Sequence, residues 1–259
     1  MTGSSSDDDF TWLDRLRCAV MFLTRLPISS AGGGPSFAQS STAVPIVGAA
    51  IGAAGGLVFV LALGLHVPPL VAALLAVGST LAVTGALHED GLADTADGLG
   101  AMLAGRRDRE AGLAIMRDSR IGSFGVLALI LSVGLRAAAL AALPAWAGAA
   151  ALVAAHAGTR GLLPMVMVRL VPARADGLAV AAGRPESDTA LAAAGIGAVI
   201  ALATLGLTAG AVAMVIAAGA AWAIAALARR LIGGYTGDVL GAIEQAGESA
   251  VLITAATLI

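Results

Sequence analysis

The 259-residue chain is 58% hydrophobic and only 12% charged, with a mean hydropathy of +0.91, which excludes an ordinary soluble domain. Its formal net charge of −2 offers nucleic acid no basic surface, and the single cysteine, Cys18, excludes an internal disulfide and any multi-cysteine zinc site. All fifteen basic residues are arginine.

The opening MTGSSSDDDF is acidic and polar, unlike the basic start of a signal peptide, and residues 1–9 are expected to form a disordered polar N-terminus. Residues 10–26 carry Trp12, Leu13, Leu16, Val20 and Leu23 at helical spacing. This predicts an amphipathic helix lying at the membrane surface, with a short span as the alternative. SSAGGGPS then reads as a flexible loop.

A membrane helix needs about 20 mostly apolar residues. Residues 44–65, 68–87, 124–143 and 145–168 each qualify, the third enclosing Arg136 and the fourth His156 and Arg160. Residues 190–228 are uncharged and long enough for two spans, with a turn expected around Gly210. Residues 250–259 are too short to span alone but extend back through Glu244 and Glu248 into a seventh, partial or half-buried helix. The predicted fold is therefore all-α: a polytopic integral membrane protein of six to seven transmembrane helices with an N-terminal amphipathic helix, forming one domain over 1–259.

Arginines test this topology. Arg15, Arg17 and Arg25 precede the first span; Arg106, Arg107, Arg109, Arg117 and Arg120 lie between the second and third. Arg169, Arg174 and Arg184 lie between the fourth and fifth, and Arg229 and Arg230 follow the sixth. With six spans all of these fall on one side, which the positive-inside rule makes cytoplasmic. The opposite turns, HVPP, LPA and TAG, contain no arginine.

On that side lies GALHEDGLADTADGLG, residues 85–100. Asp90, Asp94 and Asp97 are spaced i, i+4, i+7, so a helix places them on one face. Three such carboxylates repel one another unless a cation compensates. Oxygen-only ligands point to a hard ion, Mg²⁺, Mn²⁺ or Ca²⁺, and Mg²⁺ commonly joins one or two carboxylates to substrate phosphates. A metal–diphosphate site follows, against the alternative of a solvated acidic loop. His88 falls on the opposite side from Asp90, as a proton donor or partner to the cluster, or as an interfacial histidine at the end of a span. Glu89 faces away.

IMRDSRIGSFG supplies Arg117, Asp118, Ser119 and Arg120; arginine pairs bidentately with phosphate, while positive-inside charge with a helix cap at Ser123 is the plainer account. Arg160 lies on the order of 12 Å inside its span and requires a partner: Asp90, Asp94, Asp97 or a substrate phosphate. Arg136 reads equally as a structural partner. In GGYTGDVLGAIEQAGE, Asp238 is an N-cap or a further ligand, and Glu244 and Glu248 a solvated face or part of the site.

HEDGLADTADGLG, IMRDSRIGSFG and GGYTGDVLGAIEQAGE, in that order, together with FLTRLP and TRGLLPMVM, resemble the cobalamin synthases, the adenosylcobinamide-GDP ribazoletransferases. The resemblance runs from Phe22 to Glu248. It implies a Mg²⁺-dependent, multi-pass enzyme of the cell inner membrane, with its active site on the cytoplasmic side. That enzyme joins adenosylcobinamide-GDP to α-ribazole or its 5′-phosphate and releases GMP, completing the nucleotide loop in cobalamin biosynthesis. Asp90, Asp94 and Asp97 are then the expected metal ligands and, with His88, the catalytic set. Arg117, Asp118, Ser119, Arg120, Arg160 and Asp238 are the expected substrate contacts. The lipid bilayer is the remaining partner, a homo-oligomer is admitted, and nucleic acid is not expected. The rivals are a membrane transferase acting on CDP-alcohols or prenyl diphosphates, a divalent-cation transporter, and a scaffold without chemistry. Asp94 stands where the CDP-alcohol pattern has arginine, and a transporter would carry acidic residues deep in several spans.

Overall fold

Alanine and glycine dominate the apolar runs, and their small side chains let helix backbones approach closely. In the computed structural model, which describes residues 10–28, 34–105 and 107–259, those runs form a helical bundle. The predicted polar N-terminus, most of SSAGGGPS and Arg106 lie outside the described residues.

The first helix, α1, is Trp12–Leu23, opened by a capping box in which Thr11 and Asp14 satisfy each other's backbone N–H groups. It is amphipathic: Leu23 and Ala19 are buried against the bundle, while Trp12, Leu13 and Met21 are exposed. A short 3₁₀ turn, Ser41–Ala43, leads into α2, Val44–Gly64, whose Pro45 sits in the first turn, where no N–H partner is lost.

Next come α3, Pro69–Thr84, and α4, Leu87–Leu103, which diverge by 92°. The corner is two consecutive left-handed residues, Gly85 (φ 66°) and Ala86 (φ 55°). Alanine in that conformation costs roughly 1–2 kcal/mol. The Arg25 N–H donates to the Val83 carbonyl at 2.8 Å, and its side chain fills the space beside Gly85. The predicted second span thus stops at Thr84, and the acidic helix turns away from its axis.

A short α5, Arg109–Ile115, precedes α6, Ser123–Ala141, and α7, Ala145–Arg169. The four-residue α8, Leu178–Ala181, precedes α9, Ser187–Leu205, α10, Leu207–Ile232, and α11, Gly237–Leu258. The α9–α10 break is at Gly206 (φ 80°) rather than Gly210, which lies inside α10 with its Cα hydrogens against the α9 backbone. The last segment does extend back through Glu244 and Glu248, as one continuous helix.

Among the described residues five helices are long and apolar enough to cross a membrane, or six with the bent α3–α4 pair taken as one span. The chain is a polytopic, all-α membrane protein. Its centre is α7: 78% of its most apolar stretch is buried, against 28% for both α9 and α10, so α7 is the axis and the other two face outward. The α2–α7 contact is a zipper without side chains. A Cβ at Gly48 would strike the His156 carbonyl, and one at Gly52 the Leu152 carbonyl.

The Arg side of the bundle is laced together by polar contacts. Arg109 donates to the Ile232 carbonyl at 2.9 Å and to that of Ala173 at 2.8 Å. Backbone bonds between Tyr235 and residues 171 and 173 tie the α7–α8 loop to the α10–α11 turn. This gathers α4, the 116–122 loop and the start of α11 at one end.

Candidate active site and a buried ionic core

Helix α4 is the element on which the site is built. Asp90 is exposed, Asp94 half-buried and Asp97 buried, so the three carboxylates descend one face from solvent into the protein. Gly91 is what lets α4 approach α11: a Cβ there would come within 2.8 Å of the Asp238 carbonyl. Asp238, in the first turn of α11, accepts hydrogen bonds from Arg174 at 3.2 Å and from the Thr236 hydroxyl at 3.1 Å. Thr236, not Asp238, is the N-cap, accepting from the Val239 N–H at 3.2 Å. Asp94 consequently feels the charges of Asp90, Asp238 and Asp97 together, with Arg174 opposing them.

Asp97 does something the spacing alone does not show. One carboxylate oxygen accepts from the Gly122 N–H at 2.7 Å and the other from the Gly125 N–H at 2.9 Å. It caps α6 from another helix, satisfying two of the amides that the start of a helix leaves unpaired. Ser123, the expected cap, makes no such bond; the N-cap is Gly122. A Cβ at Gly122 or Gly125 would fall on the Asp97 carboxylate, so both positions need glycine.

Asp90 and Asp94 face Arg117, Asp118 and Ser119 across a cleft of about 540 Å³. The structure therefore brings the first acidic motif and the RDSR loop into one cavity. Arg117 is paired with Asp176 at 2.5 Å in its present position, and both side chains are more than half exposed. Arg120 chelates Asp118 with bonds of 3.0 and 3.1 Å from Nε, holding that carboxyl down at about 2. Arg120 itself opens onto a neighbouring cleft of about 730 Å³ that also contains Asp97 and Arg107.

Arg160 and His88 belong elsewhere. Arg160 is buried to 1% exposure and pairs with Glu244 and with Glu248 (2.7 Å), not with the aspartates. Arg136, equally buried, donates to Glu248 at 2.9 Å and to Glu89 at 3.0 Å. His156 contacts both Glu248 and Arg160, and His88 presents Nδ1 to Arg160 at 3.4 Å and to Glu244 at 3.9 Å. Ser132 and Gln245 extend the network, with Gln245 donating to Glu244 at 2.9 Å. Two guanidiniums, Arg136 and Arg160, meet three carboxylates here, Glu89, Glu244 and Glu248.

This core corrects three expectations. Glu244 and Glu248 are not a solvated face, being 0% and 1% exposed. Arg160 takes its counter-charge from α11 because that helix, rather than α4, packs along the polar side of α7. His88 is not interfacial; it is 5% exposed and inside the network. His156, Glu244 and Glu248 would satisfy the spacing of a metal trio, but Arg160 already supplies the positive charge between the two carboxylates. Glu89, Arg136, His156, Glu244 and Glu248 were the functional-looking residues that sequence left unassigned. The available signal was charge balance: two arginines inside spans require buried anions, and Glu244 and Glu248 are the acidic pair spaced one helical turn apart in the apolar C-terminal segment.

Comparison with known proteins identifies the family. The family model described as cobalamin-5-phosphate synthase matches residues 15–256. A protein of Bradyrhizobium diazoefficiens is 46% identical over 244 residues, covering 93% of this chain and 92% of its own. One from Azorhizobium caulinodans is 44% identical over 247 residues, covering 91% and 92%. One from Rhizobium johnstonii is 43% identical over 251 residues, covering 92% and 95%. All three relatives are named adenosylcobinamide-GDP ribazoletransferase. No solved structure matches. The match takes in α4, the RDSR loop and nearly all of α11, and on it the chain belongs to the cobalamin-5-phosphate synthase family.

Proposed function

We propose that this protein joins adenosylcobinamide-GDP to α-ribazole, or its 5′-phosphate, with release of GMP. The observation that carries the reading is the single cleft in which Asp90 and Asp94 face Arg117 and Ser119. Carboxylates opposite a guanidinium and a hydroxyl suit a metal-bridged diphosphate, and the named activity of the relatives identifies which one.

The donor set fits Mg²⁺. The acidic side chains gathered around Asp94, namely Asp90, Asp97 and Asp238, offer oxygen ligands, and together with Asp94 they outnumber the guanidinium of Arg174. Asp90 and Asp94 would hold the ion, with Asp97 and Asp238 behind them. When bound, Mg²⁺ would neutralise the diphosphate and lower the barrier to breaking its anhydride.

The chain's own residues do the rest. The RDSR loop orients the donor, with Arg117 exchanging Asp176 for a phosphate oxygen. The ribazole 3′-hydroxyl attacks the phosphorus that bears the cobinamide arm. A P–O bond to O3′ forms, the phosphoanhydride bond breaks, and GMP leaves with the bridging oxygen. Asp90, the exposed member of the triad, accepts the hydroxyl proton. Such transfer is mostly positioning and charge neutralisation, and Asp97 contributes by pinning α6 beneath the cluster. The Arg-rich side of the bundle faces the cytoplasm, in the cell inner membrane.

The test is GMP release by protein purified in detergent or nanodiscs, given both substrates, first with Mg²⁺ and then with EDTA. Release that requires the acceptor and the metal, and that Asp90→Ala abolishes in a folded protein, is the expected result. No release from folded wild-type protein rejects the reading and sends the acidic cluster to trials with CDP-alcohols and prenyl diphosphates.

A further inference from the structure

On the opposite side of α4 from the polar cleft lies a second cavity, of about 100 Å³. It is lined by α1, α4, α7, α8 and α11, and its walls are mostly apolar, Phe22, Leu163, Met167 and Ala179 among them, with His88, Asp90 and Asp238 as the polar side chains. We propose that it seats the aromatic base of the acceptor nucleoside and so places the ribose hydroxyl at Asp90. This assignment rests on the transferase reading above and adds where, and by what contacts, the acceptor is held.

Four observations support it. The lining contains no arginine, so it offers a phosphate no counter-charge, whereas a flat neutral ring loses nothing by entering. The cavity is open at one side, so a ring can enter it edge-on with its sugar left outside. Phe22 and Phe37 stack 4.2 Å apart on its wall, an aromatic surface against which a base can pack.

The fourth observation is polar. His88 lines the cavity and has its Nδ1 directed at the Arg160 guanidinium, which can only donate. The second ring nitrogen of His88, Nε2, then makes the imidazole a polar partner for the imine nitrogen of an azole base. Among the described residues, Asp90 is the one that lines both this cavity and the polar cleft. An acceptor seated here and a donor seated there meet at that carboxylate, the group assigned to take the hydroxyl proton.

Two variants test the seat. Ala179→Leu fills it, and one or a few added methylenes in such a pocket cost about tenfold or more. The expected result is a KM for α-ribazole raised about tenfold, a matching loss in calorimetric affinity for the riboside measured without donor, and an unchanged KM for adenosylcobinamide-GDP with kcat retained at saturating acceptor. Met167→Ala enlarges the seat and should shift preference toward bulkier bases. Folded Ala179→Leu with unaltered acceptor KM and affinity overturns the cavity assignment while the transferase reading stands. Should Ala179→Leu not fold, unaltered base preference in Met167→Ala overturns it. Wild-type protein that binds the riboside in an Ala179→Leu-sensitive manner yet releases no GMP rejects the transferase reading and leaves the seat. Failure of both binding and turnover overturns the two together.

Discussion

Arg160→Met separates two roles for a buried cation. Arg160 bridges Glu244 and Glu248, with His156 alongside, all four at 3% exposure or less. Methionine removes the cation while keeping an unbranched apolar side chain, and leaves two carboxylates of α11 facing each other inside the bundle. Deleting one partner of a buried ion pair costs about 3–5 kcal/mol. Arg136 still holds Glu248 but makes no bond to Glu244, so the loss should fall within that range. At the usual scaling for a chain of this size, the melting temperature drops on the order of 10 °C. Glu244→Gln placed in the Arg160→Met background should recover part of it, because the stranded charge is gone; a double-mutant cycle reads the coupling directly. The assay is thermal unfolding in detergent or nanodiscs, run beside GMP release. An Arg160→Met protein that melts like wild type but has lost turnover would refute the structural role and return Arg160 to the phosphate-binding set.

Three further outcomes follow from the geometry. Asp97→Ala removes the only side-chain cap on α6 and should cost about 1–2 kcal/mol, with hydrogen exchange accelerating first at Gly122 and Gly125 rather than across the bundle. Gly91→Val cannot be accommodated without separating α4 from α11, since even a Cβ would lie 2.8 Å from the Asp238 carbonyl; turnover should collapse while Gly78→Ala, at a position with open space around it, is silent. Asp118 is held at about 2 by Arg120, below its unfolded value of 3.8. Its ionised pairing is therefore complete above the unfolded value and lost only as pH falls through about 2, so a rate–pH profile between pH 5 and 8 should be the same in wild type and Asp118→Asn with respect to the position of its acid limb.

Much of the fold was legible because a membrane helix is a long-range signal: twenty apolar residues leave little else for the chain to do. The α3–α4 corner was harder, since the apolar run continues to Leu87 while the backbone turns at Gly85 and Ala86, and an alanine in left-handed conformation has no compositional mark. The turn expected around Gly210 falls at Gly206 instead: Gly206 takes φ 80° with open space around it, whereas Gly210 is pressed against α9, a difference that only packing shows. In the site, the helical register of Asp90, Asp94 and Asp97 was readable from spacing. The capping bond from Asp97 to an amide 25 residues away was not, because nothing local encodes it. Glu244 and Glu248 misled for a different reason: in water a polar stripe faces out, whereas in a bilayer the same stripe turns inward toward other polar groups.

The ionic core also has an order in time. Its bonds join Arg136 to Glu248 and Arg160 to Glu248, separations of 112 and 88 residues, so α11 leaves the ribosome well after α6 and α7. Until it arrives, two guanidiniums already committed to the membrane have only Glu89 and water to answer them. The ionic core closes when α11 delivers Glu244 and Glu248. A chain stalled before Gly237 would carry uncompensated charge in lipid, a chemical flag by which an unfinished copy differs from a finished one.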